Sequence, residues 1–129
     1  ATGIGGPLGD RLRQLDYPAL DVQFGAASPD PRRANMRSCI WTRMRDWLRF
    51  GAIPDMVDLE TDLTGPQYHH DRRDRLLLEA KEDMRRRGLA SPDMGDALAL
   101  TFAYPVAPGG GLSAGSGETC HSFNPYGDN

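Results

Sequence analysis

Ser91-Pro92-Asp93-Met94-Gly95-Asp96-Ala97-Leu98-Ala99-Leu100-Thr101-Phe102-Ala103 is the stretch whose residue types point most directly to chemistry. Ser91 has the type of an N-cap, Pro92 suits a first helical position, and Asp93 suits the first turn. The helix that follows is apolar almost all the way round, which marks it as buried. Asp96 opens that buried part, and Asp93 lies three residues earlier on the same helix face. A buried carboxylate must be paired, hydrogen-bonded or bound to a cation. Two neighbouring carboxylates repel, which raises one pKa or recruits a divalent metal. Mg²⁺ takes oxygen ligands and uses one or two protein carboxylates. The plainer alternative is that Asp93 only complements the helix dipole and Asp96 only meets an Arg.

Other candidate chemistry is weaker. Gly3-Ile4-Gly5-Gly6-Pro7-Leu8 begins like a dinucleotide-binding G-x-G-x-x-G, but Leu8 stands where the third Gly belongs. No Gly-Lys-Ser/Thr occurs, so a Walker A phosphate loop is absent. His69-His70 with Asp71 and Asp74 suggests a metal, yet adjacent histidines seldom face one ion, and a solvated polar turn is the expectation. Cys120-His121 has no companion ligand for zinc. No G-x-S-x-G nucleophile elbow is present.

Of the 15 basic residues, all but Lys81 are Arg. Arg forms planar, bidentate contacts with phosphate and carboxylate, although genomic base composition also explains the preference. The clusters are Arg32-Arg33, then Arg43, Arg45 and Arg49, then Arg72-Arg73-Arg75, then Arg85-Arg86-Arg87. Acids are interleaved with them, so a salt-bridged surface is the default. The sharper alternative is a phosphate-tracking rim, with Arg85–Arg87 best placed just ahead of the Asp93/Asp96 helix.

Several elements must position these groups. A short helix is expected around Leu8, Leu12 and Leu15. Leu20-Asp21-Val22-Gln23-Phe24 alternates like a half-buried strand. Met36, Ile40, Met44 and Leu48 recur every fourth residue, predicting a helix over about 35–50 with Gly51 as its stop. Helical turns are expected over 55–63, a buried strand at Leu76-Leu77-Leu78, and a helix over 80–87 ended by Gly88. The last helix should run from Ser91 to about Tyr104. Residues 106–129 are rich in Gly, Ser and Pro and read as a disordered tail. There is no internal repeat, and helix–strand alternation gives an α/β layered fold.

The whole chain has 129 residues and a formal net charge of −3. That length suits one domain with a real core. No apolar run approaches the ~18 residues of a membrane span. The start has no signal-peptide pattern and no initiator Met, so a piece of something longer is expected. Cys39 and Cys120 are far apart in sequence and fit free thiols in a reducing compartment.

Taken in order, the segments resemble the C-terminal nuclease domain of tailed-phage terminase large subunits. The order runs through Thr2-Gly3-Ile4-Gly5, Val22-Gln23-Phe24-Gly25, Asn35-Met36-Arg37 and Trp47-Leu48-Arg49-Phe50-Gly51-Ala52-Ile53-Pro54. It continues through Leu78-Glu79-Ala80-Lys81-Glu82-Asp83-Met84 and closes with Arg87-Gly88-Leu89-Ala90 and the Ser91–Ala103 stretch. The similarity covers about residues 1–105, and the final stretch is its most specific part.

The resemblance implies a partial RNase H-like fold, with helices on a mixed sheet. Such domains gather carboxylates around two divalent metals, Mg²⁺ or Mn²⁺, to hydrolyse phosphodiesters. Of the family's three acids only the late-helix one falls in this chain, at Asp93 or Asp96. Both are therefore candidate catalytic and metal-binding residues. The other two acids would lie upstream of Ala1, as would the ATP-binding motor. Lys81, Arg85, Arg86 and Arg87 are the candidate DNA-binding residues. The implied partners are double-stranded viral DNA, the portal protein and the small terminase subunit, in the host bacterial cytoplasm and with no membrane. The 129-residue piece is expected to be inactive alone, marginally stable and prone to associate through an exposed strand edge. The alternatives are a non-catalytic DNA- or portal-binding module and a prophage remnant.

Overall fold

A computed structural model describes residues 5–105. The elements are α1 (Gly5–Gln14), α2 (Met36–Trp47), α3 (Val57–Thr64), β1 (Tyr68–His70), β2 (Leu76–Leu78), α4 (Lys81–Arg86) and α5 (Asp93–Leu100). The chain is thus a mixture of helices and a small sheet. No helix among the described residues is long and apolar enough to cross a membrane. The expected tail, 106–129, lies outside the described residues, as do Cys120, His121 and the first four residues of the glycine loop.

Two compact units divide the chain. The first takes in residues up to Cys39 together with Gln67–Glu79. Here Gly5 and Gly6 open α1, and Pro7 sits in its first turn, where its missing N–H is not needed. Arg13 pins the following chain, donating to the Ala19 carbonyl at 3.2 Å and to Asp21 at 3.3 Å.

The strand expected at Leu20–Phe24 does not form. Its backbone is used differently. The Arg37 N–H donates to the Phe24 carbonyl at 3.0 Å, and the Met36 N–H donates to the Ala26 carbonyl at 2.8 Å. These are two of the N–H groups that a helix start leaves without intrahelical acceptors. Asn35 serves a third, its Oδ1 accepting from the Ser38 N–H at 2.9 Å. The segment therefore caps α2 instead of joining a sheet.

The sheet is a two-stranded antiparallel hairpin in which Tyr68, His69 and His70 face Leu78, Leu77 and Leu76. A single parallel bridge, Arg33 to Leu76, extends it. Among the described residues this hairpin with its one bridge is all of the sheet, smaller than the layered one expected from the sequence. The expected strand at Leu76–Leu78 forms. His69-His70, expected in a polar turn, forms its exposed partner instead. The sheet is tied to α2 through Ser38, whose Oγ accepts the Leu78 N–H at 2.9 Å and donates to Asn35 at 2.8 Å. Arg37, although buried, donates to the Glu79 carbonyl at 2.7 Å.

The hairpin turn is built on Asp71. Its Oδ1 accepts the N–H groups of Arg73 and Arg75, and its Oδ2 accepts from the Arg75 guanidinium, 2.7 Å away at the shortest. Asp74 closes the turn at φ +57°, a left-handed conformation that Asp tolerates better than most residues.

The second unit takes in Ile40–Pro66 and the chain from Ala80. Its buried apolar residues include Ile40, Trp41 and Met44 from α2, Leu59 from α3, Met84 from α4 and Ala99 from α5. The four-residue apolar spacing of α2 is thus the buried face, as the sequence indicates. α2 ends at Trp47, three residues short of the expected end, and Gly51 lies beyond it against the Trp47 ring. A Cβ there would lie 2.5 Å from the Trp47 ring. Gly88, at φ +83°, ends α4.

The last helix is shorter than expected and ends at Leu100 instead of near Tyr104. Beyond it the N–H groups of Thr101, Phe102 and Ala103 bond three residues back. The Arg43 guanidinium takes the carbonyls of Phe102 and Ala103 at 3.1 and 3.3 Å. A tightened final turn with a basic side chain on its carbonyls is one way a helix C-terminus is satisfied.

The Asp71 turn generates a pH prediction. The Arg75 guanidinium and N–H, aided by the Arg73 N–H, hold the Asp71 carboxyl down at about 2. The value in an unfolded chain is about 3.9. A depressed folded value means the carboxylate stabilises the turn fully above about pH 4, and that contribution disappears as pH falls through about 2. Carboxyl-carbon NMR should show Asp71 titrating at about 2. Titration near the ordinary value would mean that the turn is not held this way.

Candidate functional site

The site lies within the second unit and is organised by the start of α5. Pro92 precedes the helix and supplies no side-chain cap. Ser91, expected to be the cap, instead donates its hydroxyl to Asp93 Oδ1 at 2.7 Å. The capping carboxylate comes from α3. Asp62 Oδ2 accepts the N–H of Met94 at 2.8 Å and of Gly95 at 3.2 Å. A carboxylate at a helix N-terminus satisfies orphan donors and complements the dipole. Sequence reading missed Asp62 because no local spacing links it to a helix more than thirty residues later.

Gly95 brings α5 close to its neighbours. A Cβ there would lie 2.9 Å from Trp41 Cη2 and 3.3 Å from Asp62 Cβ. With no side chain in the way, the indole of Trp41 sits against the helix and donates from Nε1 to Asp96 Oδ1 at 2.8 Å. Lys81, the first residue of α4, brings its Nζ to 2.8 Å from Asp96 Oδ2. The same ammonium is 3.7 Å from Asp93 Oδ1.

The two carboxylates differ sharply in setting. The Asp96 side chain is 6% exposed and that of Asp93 81%. Asp93 has its pKa lowered, first by the Ser91 hydroxyl and then by the Lys81 charge. The expected sharing of one helix face is therefore real, and the Lys81 ammonium lies between the two. The single lysine of the chain fills the role expected of an arginine. It also holds most of a buried charge pair, which is tolerated only with such geometry and added hydrogen bonds.

The chain matches no family model, no curated protein and no solved structure.

Asp93 and Asp96 do face a cation, and that cation is the Lys81 ammonium. Among the described residues no three His, Cys, Asp or Glu side chains come together to hold a metal ion. The described residues do not by themselves make a two-metal centre.

The candidate DNA-binding residues are only partly gathered. Lys81 is turned to Asp96. Arg86 pairs with Asp83 at 2.9 Å, and Arg87 donates to the Gly65 carbonyl at 3.0 Å. Arg85 is exposed on α4.

Two stability predictions follow from this packing. Gly95→Ala should drive a methyl into the Trp41 ring and destabilise the chain by about 1–3 kcal/mol, as overpacking does. Trp41→Phe should remove a donor to a charged acceptor and cost about 1.5–3 kcal/mol. In a urea-unfolding double-mutant cycle, Trp41→Phe and Asp96→Asn should couple by more than ~0.5 kcal/mol. Additive effects would show that the bond contributes nothing.

Proposed function

We propose that this chain is part of a phage DNA-packaging terminase large subunit, contributing the late-helix carboxylate of its metal-dependent DNA-cutting nuclease. The observation that carries this reading is Asp96. It is a buried carboxylate on a small-residue helix, oriented by Trp41 and facing a cation together with Asp93. Orientation of one carboxylate by its neighbours is what a hydrolytic centre requires of its ligands. In this reading Asp96 is the metal-facing acid and Asp93 the outer one, with Mg²⁺ or Mn²⁺ as the cofactor. The RNase H-like fold and the remaining carboxylates belong to the proposal, and ATP concerns only the motor region of the parent. Exposed Arg85, with Arg86 and Arg87 beside it, is assigned to the DNA path. Double-stranded viral DNA, the portal protein and the small terminase subunit are the proposed partners, in the bacterial cytoplasm.

A second reading is favoured by one observation. Asp96 Oδ1 accepts from Trp41 and Oδ2 is ion-paired with Lys81, which suits a purely structural ion pair in a non-catalytic DNA- or portal-binding module. Cleavage separates the two. With Mg²⁺ or Mn²⁺ and plasmid DNA, the 129-residue chain alone should be inactive. The protein encoded by the whole reading frame should cut, and Asp96→Asn in it should lower cutting at least a hundredfold with its melting transition retained. Cutting that survives Asp96→Asn would leave the structural reading in its place.

A further inference from the structure

We propose that the tip of the β1–β2 hairpin is a docking site for the backbone of duplex DNA, with Arg72 and Arg73 as its phosphate contacts. The inference rests on the reading above in taking DNA as the partner. It concerns residues other than Asp96 and the arginines of α4, and it requires no catalysis.

The tip is built so that some charges are used internally and others are left outward. Asp71 spends both carboxylate oxygens within the turn, on the N–H groups of Arg73 and Arg75 and on the Arg75 guanidinium. Arg75 is consumed in the same contact, and Arg32, next to the bridge on Leu76, is likewise held by Asp30. Arg72 and Arg73 remain. Both are exposed, and their side chains form no hydrogen bond or ion pair among the described residues. Asp74 is the one acid at the tip outside this internal pairing.

The chain as a whole is slightly acidic, so a pair of adjacent, uncommitted guanidiniums on a fixed turn is a local feature and not an average property. Arg is the residue suited to bidentate phosphate recognition. A turn already locked by Asp71 loses little freedom on binding, which favours affinity. A two-stranded ribbon fits the major groove of B-form DNA. The deep, narrow major groove of A-form RNA does not admit it. Shape and charge therefore favour duplex DNA.

The test is fluorescence anisotropy of a short labelled DNA duplex titrated with the 129-residue chain over a salt series. Each lost phosphate contact lowers the slope of log affinity against log salt by about 0.9. Arg72→Ala/Arg73→Ala should therefore bind more weakly, with a slope shallower by about 1.8. The wild-type advantage should then shrink roughly tenfold between 50 and 200 mM salt. Arg72→Lys/Arg73→Lys should keep most of the slope, which a merely structural role would not predict. Both variants are exposed changes, and an Asp71 carboxyl still titrating low would show that the turn is intact. Equal binding and slope in wild type and the Ala variant would overturn the inference and leave the nuclease reading standing. Tighter binding to an RNA duplex would overturn it as well. No binding of wild type to duplex DNA would overturn the inference, while cutting by the protein of the whole reading frame would still decide the nuclease reading.

Discussion

The charge on Asp96 is buried on a helix that would otherwise be apolar, and the second unit is arranged around that fact. A carboxylate taken out of water needs a hydrogen bond or a counter-charge, and it has one of each, from two other helices. Trp41 reaches it from α2 and Lys81 from α4. Gly95 makes the approach possible by leaving room for the indole. Asp62, from α3, takes the helix N–H groups that no local cap serves. Four helices thus meet through polar contacts at one turn of α5. Removing one partner would strand a buried polar group, which is costlier than the net value of the bond itself.

The first unit obeys the same constraint with different chemistry. The opening turn of α2 presents N–H groups that must be satisfied, and they are met by Asn35 and by the carbonyls of Phe24 and Ala26. Ser38 then passes the connection to β2 through one hydroxyl that donates to Asn35 and accepts from Leu78. A three-residue strand pair has little stability alone. Here it is secured by α2 on one side and by the Asp71 turn at its end.

Several arginines pair with an acid a few residues away, as Arg86 does with Asp83 and Arg32 with Asp30. Such exposed pairs contribute little to stability. The one lysine, by contrast, is placed where a compact cation is needed against a buried carboxylate. A buried, oriented carboxylate and an outward basic turn are the two features that carry the proposals. The proposed cleavage and the proposed docking draw on them separately.

Local regularities were legible from the residues. The four-residue spacing of Met36, Ile40 and Met44 marks the buried face of α2, Gly88 ends α4, and Asp93 and Asp96 share a face of α5. Each depends on neighbours within a turn or two, so sequence order carries it. The strand at Leu20–Phe24 was misread because alternation describes side chains, while the fate of the segment was decided by which N–H groups needed its carbonyls. The same holds for Ser91, displaced as a cap by Asp62, and for His69-His70, drawn into a strand by the Asp71 turn. The sequence by itself determined where a buried carboxylate would sit. Only the tertiary structure decided that its partners would be Trp41 and Lys81, since hydrogen-bond satisfaction in the interior is settled between residues that are distant along the chain.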